Sequence, residues 1–288
     1  MPADVFDPAT HMATLTLHVD DLAGMETYYA RALGLTPVHA GAGEVVLGRG
    51  STPTEGLIRL VHTPGLPTPG RDQAGLFHTA LLFDTQESLA ATVATAAHEP
   101  RSRFVGASDH HVSEAFYFTD PEGNGIELYW DRPRDAWSLG QESIHMTTRH
   151  LDPTIYLRTH LSDQGLDHLT QARGAVGHVH LQVGDLTTAQ RFFVDALGFE
   201  ITVRYPGALF VSAGGYHHHM AMNVWNSPGA PARAATLGLG EVAISVPTRE
   251  EVERTAQRLR DHGHEVQDDG HALRVRDPWG SVIAVAPG

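Results

Sequence analysis

The sequence repeats one unit four times, and that periodicity limits the folds open to it more than its composition does. Two segments show the unit best. Thr14-Leu-Thr-Leu-His-Val-Asp-Asp-Leu22 leads through a helical stretch to Ala32-Leu-Gly-Leu35, and His178-Val-His-Leu-Gln-Val-Gly-Asp-Leu186 leads in the same way to Ala196-Leu-Gly-Phe199. Each reads as an alternating strand, an Asp-Leu helix entry, an amphipathic helix and a Gly stop, followed by three short strand-like runs. Weaker copies begin at His78-Thr-Ala-Leu-Leu-Phe83 and Glu241-Val-Ala-Ile-Ser-Val246, with helices expected from Gln86 to Ala97 and from Arg249 to His262. Both carry an Asp-Pro-x-Gly turn before their last strand, Asp120 to Gly123 and Asp277 to Gly280. The unit is therefore β-α-β-β-β, at about 10–62, 75–133, 175–226 and 237–286. The expected division is an N-terminal half, 10–133, a connecting segment, 134–174, and a C-terminal half, 175–288. A short helix is expected from Leu151 to Leu161, and Pro228 and Pro231 mark a smaller linker.

Composition removes several functions. The net charge of −14 argues against nucleic acid or an anionic membrane as partner, since both favour a basic face. The chain has no cysteine, which excludes disulfides, iron–sulfur clusters and thiolate zinc sites. The first residues lack the basic and apolar regions of a signal peptide. No apolar run approaches the ~18–20 residues that span a bilayer. A cytoplasmic protein is the expectation.

Strand alternation selects candidate metal ligands. In the third unit Val179, Leu181 and Val183 should pack under the helix, which turns His178, His180 and Gln182 the other way. In the second unit Leu81 and Phe83 take the helix side and His78 the opposite one. Glu127 lies among Ile126, Leu128 and Tyr129, where a buried acid needs a partner. A buried, hydrogen-bonded residue is the ordinary explanation for any one of these. The three together occupy matching first-strand, first-strand and last-strand positions. Two imidazoles and a carboxylate leave positions open for substrate and O₂ on a non-haem Fe(II) ion, and Mn(II) accepts the same donors. The other units have Thr14, Glu241 and Ala284 at the matching places and cannot build that site. The metal cup is thus expected from the second and third units, with a second, structural cup from the first and fourth.

The stretch from Asp109 to Tyr129 resembles the signature of extradiol ring-cleavage dioxygenases, in which a His precedes a Tyr and the ligand Glu follows ten residues later. Tyr117 and Glu127 keep that spacing, and His110 lies upstream, with His111 as its competitor. The run Gly215 to His219 narrows the resemblance to the catechol-2,3-dioxygenase-like group of the vicinal oxygen chelate superfamily. The resemblance covers nearly the whole chain. It implies an α+β fold of four βαβββ modules forming two curled-sheet cups. It implies O₂ insertion into a catechol-type diol by an Fe(II)-dependent oxidoreductase, in the catabolism of aromatic compounds. Tyr117 and His110 would hydrogen-bond to substrate oxygens, and His218 would be the acid–base group, with an imidazole that ordinarily titrates near pH ~6.5. Alternation sets His217 and His219 opposite His218. His180, His219 and Trp225 are candidate substrate or supporting contacts. The commonest extradiol arrangement takes its ligands from the third and fourth units, whereas the residues here place them in the second and third. The superfamily's frequent dimers and tetramers leave a homo-oligomer open.

Three other readings compete. A glyoxalase-like isomerase or lyase would need a fourth ligand, often a Glu, and the stretch from Tyr216 to Trp225 has no carboxylate. A non-enzymatic small-molecule binding protein would not need the triad and Tyr117 together. A hydroquinone ring-cleaving dioxygenase uses the same triad and stays open.

Overall fold

The computed structural model describes residues 5–53, 55–137, 144 and 146–288, so parts of the connecting segment and of the N-terminus lie outside the described residues. The four repeats fold as the periodicity indicates. The first is β1 (His11–Val19), α1 (Leu22–Leu33), β2 (Thr36–Gly41), β3 (Glu44–Gly48) and β4 (Ile58–His62). The second is β5 (Gly75–Phe83), α2 (Gln86–His98), β6 (Arg103–Asp109), β7 (Ser113–Thr119) and β8 (Gly125–Asp131). A two-residue strand, β9 (Arg149–His150), and helices α3 (Pro153–His160) and α4 (Asp163–Asp167) follow. The third repeat is β10 (Gly174–Gln182), α5 (Leu186–Gln190), a π-helical turn (Arg191–Ala196), β11 (Glu200–Tyr205), β12 (Ala208–Ser212) and β13 (Met220–Asn223). The fourth is β14 (Gly238–Val246), α6 (Arg249–Asp261), β15 (Val266–Asp268), β16 (Leu273–Arg276) and β17 (Val282–Pro287).

The fold is α+β with two mixed sheets. One has the order β15-β16-β17-β14-β1-β4-β3-β2, and the other β11-β12-β13-β10-β5-β8-β7-β6-β9. The first and fourth repeats thus share the eight-stranded sheet, and the second and third the nine-stranded one. Within a repeat the first strand runs parallel to the last, as in β5 with β8, β10 with β13 and β14 with β17. The chain forms two compact units, Met1–Leu15 with Pro67–Phe77 and Gly177–Gly288, and Thr16–Leu66 with His78–Val176.

Local chemistry explains the element ends. The Asp21 and Asp185 carboxylates accept from Gly24 N and Thr188 N, capping helices whose first N–H groups have no partner inside the helix. Gly34 closes α1 in the left-handed region at φ 65°, where a Cβ would cost energy. Asp120 and Asp277 each fold an Asp-Pro-x-Gly turn around their own carboxylate. Asp120 Oδ1 accepts from Glu122 N at 3.0 Å and Asn124 N at 2.8 Å. Asp277 Oδ1 accepts from Trp279 N at 2.9 Å and Ser281 N at 2.8 Å. Burial pushes each carboxyl up to about 6, although these N–H donors oppose the shift.

Two elements differ from the sequence reading. The helix of the third repeat is α-helical for one turn and then widens to a π turn. That turn carries adjacent phenylalanines, Phe192 and Phe193, both buried with rings 5.0 Å apart. The short strand β9 arises inside the connecting segment and pairs with Ser108 and Asp109 of β6.

Candidate metal centre

Strand register positions the acid and its neighbours. Ala80 of β5 pairs with Glu127 of β8, so His78, two residues earlier on β5, shares a face with that pair. On the other side of β8, Tyr117 of β7 pairs directly with Glu127. His78 Nε2 lies 2.9 Å from Glu127 Oε2, and both side chains are more than nine-tenths buried. A carboxylate taken from water at that depth needs close donors, and an imidazole and a phenol stand beside it. Burial, with the Glu127 carboxylate next to it, holds the Tyr117 phenol well above its ordinary pKa.

His110 reaches the same place from the β6–β7 turn. Its Nε2 is 2.7 Å from the Tyr117 hydroxyl, and its Nδ1 is 2.8 Å from the Thr147 carbonyl oxygen. A carbonyl can only accept, so Nδ1 carries the proton. The single Tyr117 proton can go to the Glu127 carboxylate or to His110 Nε2, and Nε2 donates to the phenol oxygen when His110 carries both protons. His111 occupies the bend instead, at φ 72°, with its N–H on Asp109 Oδ1 at 2.8 Å. Asp109 also takes Arg132 Nη1 at 2.8 Å and Nη2 at 3.1 Å, which braces the turn.

The remaining histidines come from the third repeat. His178 and His180 lie on β10, both buried. The His218 ring stands 4.0 Å from the His178 ring. His217 and His218 precede β13 in irregular backbone, so strict alternation fails there. Their Nδ1 atoms lie 2.8 Å apart, and His217 supports His218 rather than facing away from it. His219 does face the other way. Its Nδ1 accepts from Ala213 N at 3.2 Å, and its ring stacks on Tyr216 at 4.9 Å. Those core contacts remove the reason to expect His219 at a substrate. His180 Nε2 is 3.0 Å from Asn223 Nδ2. The Trp225 ring lies 5.5 Å from that of His180 and is 46% exposed.

Among the described residues, one group of His, Asp and Glu side chains could share a metal ion. It consists of His78, Glu127 and His178, each offering one ligand atom within 4.8 Å of the others. Two imidazole nitrogens and one carboxylate oxygen, all buried, suit a divalent transition metal. The eight-stranded sheet gives the comparison. There Ala243 and Arg274 both pair with Ala284, as Ala80 and Tyr117 both pair with Glu127. The places of His78, Glu127 and Tyr117 are thus taken by Glu241, Ala284 and Arg274. Arg274 Nε donates to Glu241 at 2.8 Å, so an ion pair stands where the other sheet has metal-type donors.

The sequence pattern of the Glyoxalase/Bleomycin resistance protein/Dioxygenase superfamily matches residues 11–128 and 175–285. The chain belongs to that superfamily. Its relatives in the superfamily include a catechol-2,3-dioxygenase of Bacillus subtilis (strain 168), 38% identical over 218 residues, which are 73% of this chain and 74% of that one. A biphenyl-2,3-diol 1,2-dioxygenase 3 of Rhodococcus globerulus is 28% identical over 114 residues, 38% of this chain and 60% of that one. Glyoxalase I from Zea mays shares the fold at a TM-score of 0.57 and 16% identity, covering 97% of this chain and 92% of its own. No helix among the described residues is long and apolar enough to cross a membrane.

Sequence reasoning missed four supporting contacts. The Thr147 carbonyl comes from the connecting segment and carries no side-chain signal. The Asp109–Arg132 clamp joins residues 23 apart in sequence. Asn223 ends the apolar run Met220-Ala-Met and was visible as its one polar member. Phe210, 5.0 Å from His218, reads in sequence as an ordinary strand residue.

Proposed function

We propose that this chain is an extradiol dioxygenase that opens a catechol-type aromatic ring with O₂, at one divalent metal held by His78, Glu127 and His178. Fe(II) is the metal this reading favours, and Mn(II) would accept the same donors. The observation that carries the reading is the hydrogen-bonded line from His110 to Tyr117, which sits directly across from Glu127. A site that only bound a metal would have no use for a proton-handling pair aimed at one of its ligands. The 38% identity to a protein named catechol-2,3-dioxygenase supports the same chemistry.

The metal would supply two-point attachment for the diol and a path for electrons from it to O₂. The protein's own groups do the rest. Tyr117 and His110 would hold a proton at the Tyr117 oxygen or at His110 Nε2 and stabilise charge developing on a substrate oxygen. His218 would act as the general acid and base. Its Nδ1 is engaged by His217, so the proton it handles would be at Nε2. His218 is buried and Tyr117 and His110 are partly buried, which shields these contacts in part from bulk water and strengthens them.

The test is O₂ uptake by protein loaded anaerobically with Fe(II), across a panel of catechols and hydroquinones. Uptake with a catechol, giving a yellow ring-opened product, is expected. No uptake with any member would overturn the proposal, and uptake with hydroquinones alone would transfer it to that class.

A further inference from the structure

A chain of aromatic rings leads away from the metal ligand His178. The His218 ring lies 4.0 Å from His178, and Phe210 lies 5.0 Å from His218. His180 follows at 5.9 Å from Phe210, with Phe77 at 5.0 Å and Trp225 at 5.5 Å from it. Phe77 and Trp225 meet at 5.6 Å. The last four meet edge to face, the geometry in which aromatic pairs attract.

The outer members are held in place. Trp225 is half exposed, yet its Nε1 donates to the Pro206 carbonyl at 3.2 Å. Gly207 lies beneath it, where a Cβ would come within 2.9 Å of the indole. Asn223 Oδ1 accepts from Trp225 N at 3.1 Å, which fixes the amide so that Nδ2 donates to His180 Nε2. The polar groups nearby are neutral amides as well. Gln182 Oε1 accepts from Asn226 Nδ2 at 3.1 Å, and Gln182 Nε2 donates to the Gln73 carbonyl.

We propose that Phe77, His180, Phe210 and Trp225 form the wall that receives a substituent of the diol ring, and that this substituent is apolar and uncharged. The proposal rests on the ring-cleavage reading for its diol. A carboxylate laid against the Phe77, Phe210 and Trp225 rings and neutral amides would lose water and meet no Lys or Arg among these residues, the His180 imidazole being the one polar ring of the set. An alkyl chain there gains with each methylene it buries, a factor of about four in affinity per group.

The experiment compares kcat/KM, by O₂ uptake of the Fe(II)-loaded protein, for catechol, its 3- and 4-methyl, ethyl and propyl derivatives, and 3,4-dihydroxybenzoate. At one ring position kcat/KM should climb about fourfold per methylene, with the benzoate at least about tenfold below the methyl compound. Phe77→Ala and Trp225→Ala should flatten that climb. A flat series in the unmodified chain, an unchanged slope in both variants, or a preference for the benzoate overturns the wall. A second readout needs no turnover. Tryptophan emission of the metal-free protein should be quenched more tightly along the alkyl series, and Trp225→Phe should remove that response. If no diol supports O₂ uptake, the ring-cleavage reading fails by itself. The emission series then decides the wall, which stands if binding tightens and falls if it does not.

Discussion

Tyr117 pairs directly with Glu127 across the antiparallel strands β7 and β8. Their separation of ten positions in sequence is therefore the length of one hairpin, with the Asp120 turn at its tip. That register places a phenol beside a carboxylate that also meets His78 at 2.9 Å. The hydroxyl of Tyr117 then joins His110 at 2.7 Å, so the candidate ligand on β8 meets a hydrogen-bonded pair supplied by β7 and the turn before it.

Tyr117→Phe tests that relationship. The ring and its packing remain, and only the hydroxyl between His110 and Glu127 is lost. The variant should keep its metal and lose about 10²–10³ in kcat for ring cleavage. Stopped-flow turnover with metal analysis on the same sample would check this. An unchanged kcat would make Tyr117 a packing residue.

Glu127→Ala and His178→Ala should each abolish metal retention. Both remove one of three donors, and the two that remain cannot hold a first-row ion through gel filtration. Metal content per chain is the readout. Stoichiometric metal in both variants would mean that the ion binds elsewhere.

His218→Phe should retain metal and fold while losing about 10²–10⁴ in turnover. The substitution keeps a ring against His178 but removes the proton carrier. Turnover at the level of the unmodified chain would shift the acid–base role to His217, whose Nδ1 is 2.8 Å away.

Stability should depend on pH through the Asp120 turn. Burial raises this carboxyl to about 6, above its unfolded value of roughly 3.9. Its acid form is thus favoured in the folded state. That contribution is fully present below about pH 4 and is lost as pH rises through about 6. Relative to Asp120→Asn, the unmodified chain should lose up to about 3 kcal/mol between these limits. Urea denaturation of both metal-free proteins from pH 4 to 7 would show it. Parallel stability curves would contradict the burial argument.

Much of this was legible because the repeat made its own comparison. His78 and His178 stood out against Thr14 and Glu241 at matching places, and register in the two sheets bears on the same positions. The Asp-Pro-x-Gly turns were legible because proline and a left-handed glycine permit few alternatives there. The failures have physical causes. Alternation applies to regular strands, and His217 and His218 lie in irregular backbone, where adjacent rings can meet. The π turn at Arg191–Ala196 has no counterpart in helical periodicity, which reads the same residues as a continuing α-helix. The Thr147 carbonyl and strand β9 depend on where a long connection returns, which no local pattern encodes.

The central claim is that the buried His78, Glu127 and His178 serve ring opening by O₂. Its most direct measurement is O₂ consumption by the Fe(II)-loaded protein with a catechol, paired with mass analysis of the product. One O₂ should be consumed per diol, giving a product heavier than the diol by both oxygen atoms. A product of unchanged mass, or oxidation to a quinone without oxygen incorporated, would contradict it.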